Sequence, residues 1–294
     1  SDVCSSDLIN TESAAYFGTQ TFGGDPYWVG EMGKAYIEGL LEGSQGKMAV
    51  IAKHFPGLGG ADRSPEQEVA TVRKSLEQLK QIELAPFVAI TTAGEAEKPL
   101  VDGLMVSHIR YQGFQGNIRA TTRPISFDSA ALTQLLALET FNTWRKNGGL
   151  TVSDNLGSQA IRRFFDLSGE AFNPANVART AFLAGNDLLY LKDFRAAGFP
   201  DSYTTIQTTL ASFAQKYRED PVFAQRVDES VSRILTTKLR LYGEFSLDAV
   251  KADETGMNNL GNNYDTVFSV ARDAVTLVSP SKSELDVLLP AGPS

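Results

Sequence analysis

Asp154 closes the run Gly149-Leu150-Thr151-Val152-Ser153-Asp154, in which apolar and β-branched residues end abruptly in a carboxylate before Asn155-Leu156-Gly157. Such a run reads as a buried parallel strand that delivers its carboxylate to the C-terminal end of a sheet, where α/β enzymes keep their reactive groups. A carboxylate held there can attack an oxocarbenium-like carbon as a nucleophile. It can equally cap a following helix, because Asp is a preferred N-cap, and the residue types leave both readings open. The adjacent Ser153 can donate a hydrogen bond that keeps the carboxylate ionised.

A second run ends the same way. Lys47-Met48-Ala49-Val50-Ile51-Ala52 leads into Lys53-His54-Phe55-Pro56-Gly57, which sets one of only two histidines beside a lysine where a buried strand should stop. An ammonium with several donors and a directional imidazole suit hydroxyl-rich ligands, although an internal ion pair and a satisfied core histidine fit the same residues. His108, the other histidine, follows Val101-Asp102-Gly103-Leu104-Met105-Val106-Ser107 in a similar position. No His-x-x-x-His or Cys-x-x-Cys spacing points to a metal. Neither Ser107 nor Ser153 lies in Gly-x-Ser-x-Gly, so the nucleophile elbow of serine hydrolases is missing. Tyr16, Phe17, Phe22, Tyr27 and Trp28 offer an aromatic surface that serves equally as core.

The elements that must position these residues follow from periodicity. Pro26 opens a helix through Leu41, and a strand spans 48–53. Val69, Val72, Leu76 and Leu79 recur at three- and four-residue spacing and predict a helix over about 66–84, ended by Pro86. After the strand before His108, Leu132, Leu135, Leu136 and 139–144 predict a helix. The Asp154 strand follows, then a short helix through Val177, Ala181 and Ala184 that Gly185 stops, then a strand over Asp187-Leu188-Leu189-Tyr190-Leu191. Two long amphipathic helices are predicted over 203–217 and 222–241, the second capped by Gly243.

Parallel-strand candidates each followed by a helix predict an α/β fold, an incomplete TIM-type (β/α)8 barrel lacking its first strands. A doubly wound sheet is the alternative, but no Gly-x-Gly-x-x-Gly fingerprint or phosphate loop opens a helix. The expected organisation is a partial barrel over 1–247, a polar Gly/Asn-rich linker over 248–266, and the start of a second α/β domain over 267–294, where a short helix is followed by a strand.

With 294 residues and 42% apolar content the chain can fill a sizeable core. Its formal charge of −8, with no dense basic stripe, argues against nucleic acid or anionic lipid as a partner. The lone Cys4 excludes an intrachain disulfide and a thiolate metal cluster. No run of 18 or more apolar residues predicts a transmembrane span. The polar opening shows no signal peptide, and because it also lacks an initiator methionine, localisation stays open.

Taken together these segments resemble glycoside hydrolase family 3. The family's Arg-Ser/Thr-Phe-Gly, Lys-His-Phe-Pro-Gly-His-Gly, Met-Val-Ala/Ser-His, Ser-Asp-Asp/Trp and Ala-Gly-x-Asp segments stand here, in order, as Gln20-Thr21-Phe22-Gly23, Lys53-His54-Phe55-Pro56-Gly57-Leu58-Gly59, Met105-Val106-Ser107-His108, Ser153-Asp154-Asn155 and Ala184-Gly185-Asn186-Asp187. The resemblance implies a retaining, exo-acting β-glycosidase for terminal β-N-acetylhexosaminides or β-glucosides. It implies Asp154 as nucleophile, with Lys53, His54, His108 and Asp187 holding the terminal sugar of an oligosaccharide or glycoside, and it implies no cofactor. It also implies that the full-length protein supplies the first barrel strands and a C-terminal domain. The chain departs from the family in three places. Gln20 replaces the arginine, Leu58 replaces the loop histidine, and Asp62-Arg63-Ser64 stands near the Asp-Ser-His that supplies the acid/base in the hexosaminidase branch. The missing proton donor could be Asp62 or an acidic residue from the downstream domain, and the fragment alone could be inactive. The alternative is a noncatalytic carbohydrate-binding or cell-envelope protein on a degenerate hydrolase barrel.

Overall fold

The computed structural model describes residues 2–4, 21–92, 100–168, 171–251 and 263–275. The chain divides into two compact units, Ser1–Phe245 and Ser246–Ser294. In the first, short strands alternate with helices: β1 (Asp2–Cys4), α1 (Pro26–Gly43), β2 (Ile51–Phe55), β3 (Ala70–Lys74), α2 (Leu76–Gln81), α3 (Leu84–Thr91), β4 (Gly103–Val106), β5 (Ile109–Gly113), α4 (Ser129–Leu136), α5 (Glu139–Lys146), β6 (Leu150–Ser153), α6 (Gln159–Phe165), α7 (Pro174–Ala184), α8 (Ser202–Glu219) and α9 (Pro221–Tyr242).

β1, β2, β4 and β6 lie side by side in that order, all parallel, and Val152 of β6 bridges in parallel to Leu188 beyond it. Each strand therefore neighbours the next main-sheet strand of the chain, reached through intervening helices. That unreversed order is an arc of a (β/α)8 barrel, whereas a doubly wound sheet reverses direction at a switch point. Among the described residues the arc does not close. The pair β3 and β5 forms a separate parallel two-stranded ribbon, in register from Ala70 opposite Ile109 to Lys74 opposite Gly113.

Local chemistry sets the element ends. Asp25 accepts hydrogen bonds from the N–H groups of Tyr27 (3.0 Å) and Trp28 (3.1 Å), and Pro26 occupies the first position of α1. Asp220 and Pro221 open α9 in the same way, and Gly243 closes it with φ 75°. Gly185 ends α7 with φ 130°.

The helix expected over 66–84 is not one element. Ala70 and Val72 are buried on one face of β3, a two-residue alternation that the Val69, Val72 spacing obscured. Ser75 and Gln78 then form a capping box that starts α2 afresh. Pro86 does not stop a helix either. It sits in the first turn of α3, where no intrahelical donor is required of it. The single helix expected over 132–144 is two, α4 and α5, and the strand expected over 187–191 is reduced to the one bridge at Leu188.

Two apolar clusters hold these layers. One joins β2 and β4 to α1, α3, α4 and α5 through Ile37, Phe55, Phe87, Leu104, Phe141 and Trp144. Phe55 meets Phe87 and Phe141 edge-on at 5.3 and 5.2 Å between ring centroids, an arrangement worth about 0.5–1.5 kcal/mol per pair beyond burial. The other packs Phe127, Leu156, Ile161, Phe172, Val177 and Phe194 beneath α6 and α7.

In the second unit a short helix, Leu247–Val250, is capped by Ser246, and a helix spans Tyr264–Asp273. The expected linker is thus partly helical, and the strand expected before 278 lies outside the described residues, as do Tyr16, Phe17 and Gln20. No helix among the described residues is long and apolar enough to cross a membrane.

Candidate active site

The C-terminal ends of β2, β4 and β6 open into a cavity of about 1000 Å³ lined by Lys53, His54, Met105, His108, Val152, Asp154, Asn155 and Leu188. Register explains which side chains face it. Met105 lies opposite Val152 and Val152 opposite Leu188, so side chains at one level of the sheet point to one side.

All four residues of β6 are buried, and the ladder continues past its end, with the Asp154 N–H donating to Val106 O at 3.0 Å. Asp154 is therefore held on a rigid strand end. It does not cap α6, which is capped by Ser158 through the Ile161 N–H. Its Oδ1 accepts the Asn155 N–H at 2.7 Å, and the half-buried carboxylate faces the cavity. Ser153 does something other than expected. Its Oγ accepts the Tyr190 N–H at 3.0 Å, tying β6 to the next segment.

His108 is buried, and both ring nitrogens are engaged, Nδ1 with Ser126 Oγ at 2.7 Å and Nε2 with Asn155 O at 3.0 Å. Since a carbonyl only accepts, Nε2 carries the proton and Nδ1 accepts from the hydroxyl. Burial pushes the imidazole below its ordinary pKa and outweighs the opposing pull of Asp154, so the ring is neutral at pH 7. In this arrangement it braces the turn after Asp154. Asn155 completes the brace, its Oδ1 accepting from the N–H groups of Gly157 (3.0 Å) and Lys192 (3.1 Å).

The turn can sit this close only because position 157 is glycine. A Cβ there would lie 2.0 Å from Lys192 O. Replacing Gly157 with Ala is expected to push the 192–193 segment away from the Asp154 turn and cost about 1–3 kcal/mol, read as a lowered Tm together with reduced activity. Gly57, at φ 129°, is equally constrained, since a Cβ would stand 2.4 Å from Cβ of the buried Glu83. Glu83 pairs with Lys74, and the Tyr111 hydroxyl donates to Gly57 O, which fixes the floor of the loop after β2.

Lys53, His54, His108 and Asp154 thus share one cavity, but two expected residues do not. Asp187 does not line it. Because Leu188 faces the cavity, its neighbour in an extended segment faces the helices, and the Asp187 carboxylate is fully buried there against Arg145, Arg226 and Arg233. It also accepts from Thr151 N at 3.1 Å and Ser230 Oγ at 2.8 Å. Asp62 does not line the cavity either. It accepts from Thr71 N at 2.8 Å and from Arg63. Partial burial pushes its pKa up, but Arg63 and the Thr71 N–H more than offset this and hold it below the usual carboxylate value.

Sequence reasoning missed Glu66, Gln159, Lys192 and Asp193, all of which line the cavity. Leu58, buried at 1% exposure, is also in its wall. Among the described residues no cluster of three or more His, Cys, Asp or Glu is placed to hold a metal ion.

Residues 7–237 match the model of the glycosyl hydrolase family 3 N terminal domain. The chain belongs to glycosyl hydrolase family 3. A beta-hexosaminidase of Hydrogenovibrio crunogenus is 28% identical over 202 residues, 68% of this chain and 49% of that protein. A beta-N-acetylglucosaminidase/beta-glucosidase of Cellulomonas fimi is 25% identical over 273 residues, 92% of this chain and 43% of that protein. The chain thus spans about half or less of the length of these family 3 relatives. The solved family 3 beta-N-acetylglucosaminidase from Paenibacillus sp. str. FPU-7 superposes with a TM-score of 0.63 at 24% identity, covering 86% of this chain and 41% of that one, a likeness of fold.

Proposed function

We propose that the full-length protein is a retaining, exo-acting β-glycosidase that removes terminal β-linked sugars, with β-N-acetylhexosaminides ahead of β-glucosides. The observation that carries this reading is the Asp154 carboxylate at the end of a fully buried strand, facing a cavity it shares with Lys53 and His54. A carboxylate so placed attacks C1 as the glycosidic bond breaks, giving a covalent glycosyl ester that water opens with net retention. Lys53 and His54 donate to or accept from ring hydroxyls and fix the sugar against the nucleophile. The hexosaminide preference rests on the naming of the relatives.

The test is the anomeric configuration of the first product, followed by proton NMR on an aryl β-N-acetylhexosaminide and on the matching β-glucoside. The β-anomer appearing first supports the reading, and an initial α-anomer contradicts it. One observation favours the noncatalytic alternative. Leu58 presents an apolar side chain in the cavity wall where the family motif carries histidine. Calorimetry showing saccharide binding with no turnover on either substrate would select that alternative.

A further inference from the structure

The excursion that follows β2 places its own carboxylates unequally. At its base, the Asp62 N–H donates to Thr71 O at 3.1 Å and Ala61 bridges to Val72 in antiparallel fashion, so Asp62 is tied to β3 and turned away from the cavity. At its tip, the N–H groups of Gln67 and Glu68 both donate to Ser64 O at 3.3 Å, closing a turn around Pro65 and Glu66. Pro65, Glu66 and Gln67 line the same cavity as Asp154. The tip is anchored to the far wall as well, since the Ala160 N–H in the first turn of α6 donates to Glu66 O at 3.1 Å. The backbone at Glu66 is therefore held from both sides in the wall of the cavity that Asp154 faces.

The neighbouring charges set it apart further. Arg63 takes Asp62 and Glu68, and Arg163 takes Glu68, while among the described residues no ion pair engages Glu66. Asp193 also lines the cavity wall, where its backbone carbonyl accepts from the Arg162 guanidinium at 2.5 Å. A proton donor must be able to carry its proton, and Arg63 with the Thr71 N–H holds the Asp62 carboxyl below its ordinary range.

Resting on the glycosidase reading above, we propose that Glu66 is the general acid/base of this site. In the first step the Glu66 carboxyl gives its proton to the glycosidic oxygen as the C1–O bond breaks and an Asp154 oxygen bonds to C1. In the second, the Glu66 carboxylate takes a proton from water as the water oxygen attacks C1 and the Asp154 ester bond breaks, which restores both groups.

The test compares the unaltered full-length protein with Glu66→Gln and Asp62→Asn on a disaccharide and on a 2,4-dinitrophenyl glycoside, with and without azide. Glu66→Gln is expected to lose about 10²- to 10⁴-fold in kcat/KM on the disaccharide. It should lose far less on the dinitrophenyl substrate, whose leaving group needs no proton. Azide, which needs no general base, should accelerate this variant and yield the β-glycosyl azide, a product that a merely structural role for Glu66 would not generate. Disaccharide activity within threefold of the unaltered protein, or azide rescue of Asp62→Asn in place of Glu66→Gln, would overturn the assignment. Absence of turnover by the unaltered protein on both substrates would instead overturn the glycosidase reading, and the Glu66 assignment with it.

Discussion

Asp154→Asn is expected to lower kcat/KM by about 10⁴- to 10⁶-fold, the range seen when an enzyme loses its nucleophile, while the fold survives. The amide nearly matches the carboxylate in shape, and the structural role of the residue is carried by its backbone, whose N–H donates to Val106 O. The carboxylate itself accepts only the adjacent Asn155 N–H among the described contacts, which an amide oxygen can still do. Stability should stay within about 1 kcal/mol of the unaltered protein. Steady-state kinetics alongside thermal denaturation check both halves. A Tm that collapses together with activity would reassign Asp154 to the scaffold.

Asp187→Asn should do the reverse. Among the described residues Asp187 is the one carboxylate in ion-pair contact with Arg145, Arg226 and Arg233, and burial, reinforced by repulsion from the other two guanidinium groups, lowers the Arg233 pKa. Removing the anion leaves three partly buried guanidinium groups facing one another. Breaking a buried ion pair in this way costs about 3–5 kcal/mol, or on the order of 10 °C in Tm. A sugar-binding role would predict a raised KM at unchanged Tm, so thermal denaturation separates the two. The same cluster sets an acid limit. Burial pushes the Asp187 pKa up, but the Arg145 hydrogen bond and charge, the Thr151 N–H and Arg226 hold it down at about 2, against 3.8 for the free group. A depressed carboxylate pKa stabilises the fold above the unfolded value. That contribution, about 2 kcal/mol, is lost as pH falls from about 3.8 through about 2. Urea unfolding at stepped pH should show this loss in the unaltered protein and not in Asp187→Asn.

The contrast between these two aspartates shows what the sequence could reveal. Asp154 and His108 follow their apolar runs, and a residue that follows a parallel strand stands at the C-terminal mouth. Asp187 precedes Leu188-Leu189-Tyr190-Leu191, so its place was at the start of the segment, on the face that turns to α9. That order was visible, but the Arg226 and Arg233 partners, 39 and more positions away, were not. Glu66 was hidden for a different reason. Val69, Val72, Leu76 and Leu79 mimic helical spacing across what is half strand and half helix, which buried the loop tip inside an expected helix. Pro65 and the Ser75, Gln78 capping box were the signals that could have divided it. Strands β2, β4 and β6 were legible because each lies in a short apolar run that ends in polar residues. β1 was not, since Asp2–Cys4 is too short to carry periodicity.

The atom that attacks the sugar can be trapped directly. An activated fluoroglycoside, whose fluorine slows breakdown of the glycosyl-enzyme, should be incubated with the full-length protein, which is then digested and its peptides sequenced by mass spectrometry. One added glycosyl mass per protein is expected, carried by Asp154 and absent from Asp154→Asn. A label on any other carboxylate, or turnover of the reagent by Asp154→Asn at the unaltered rate, would contradict the nucleophile role of Asp154.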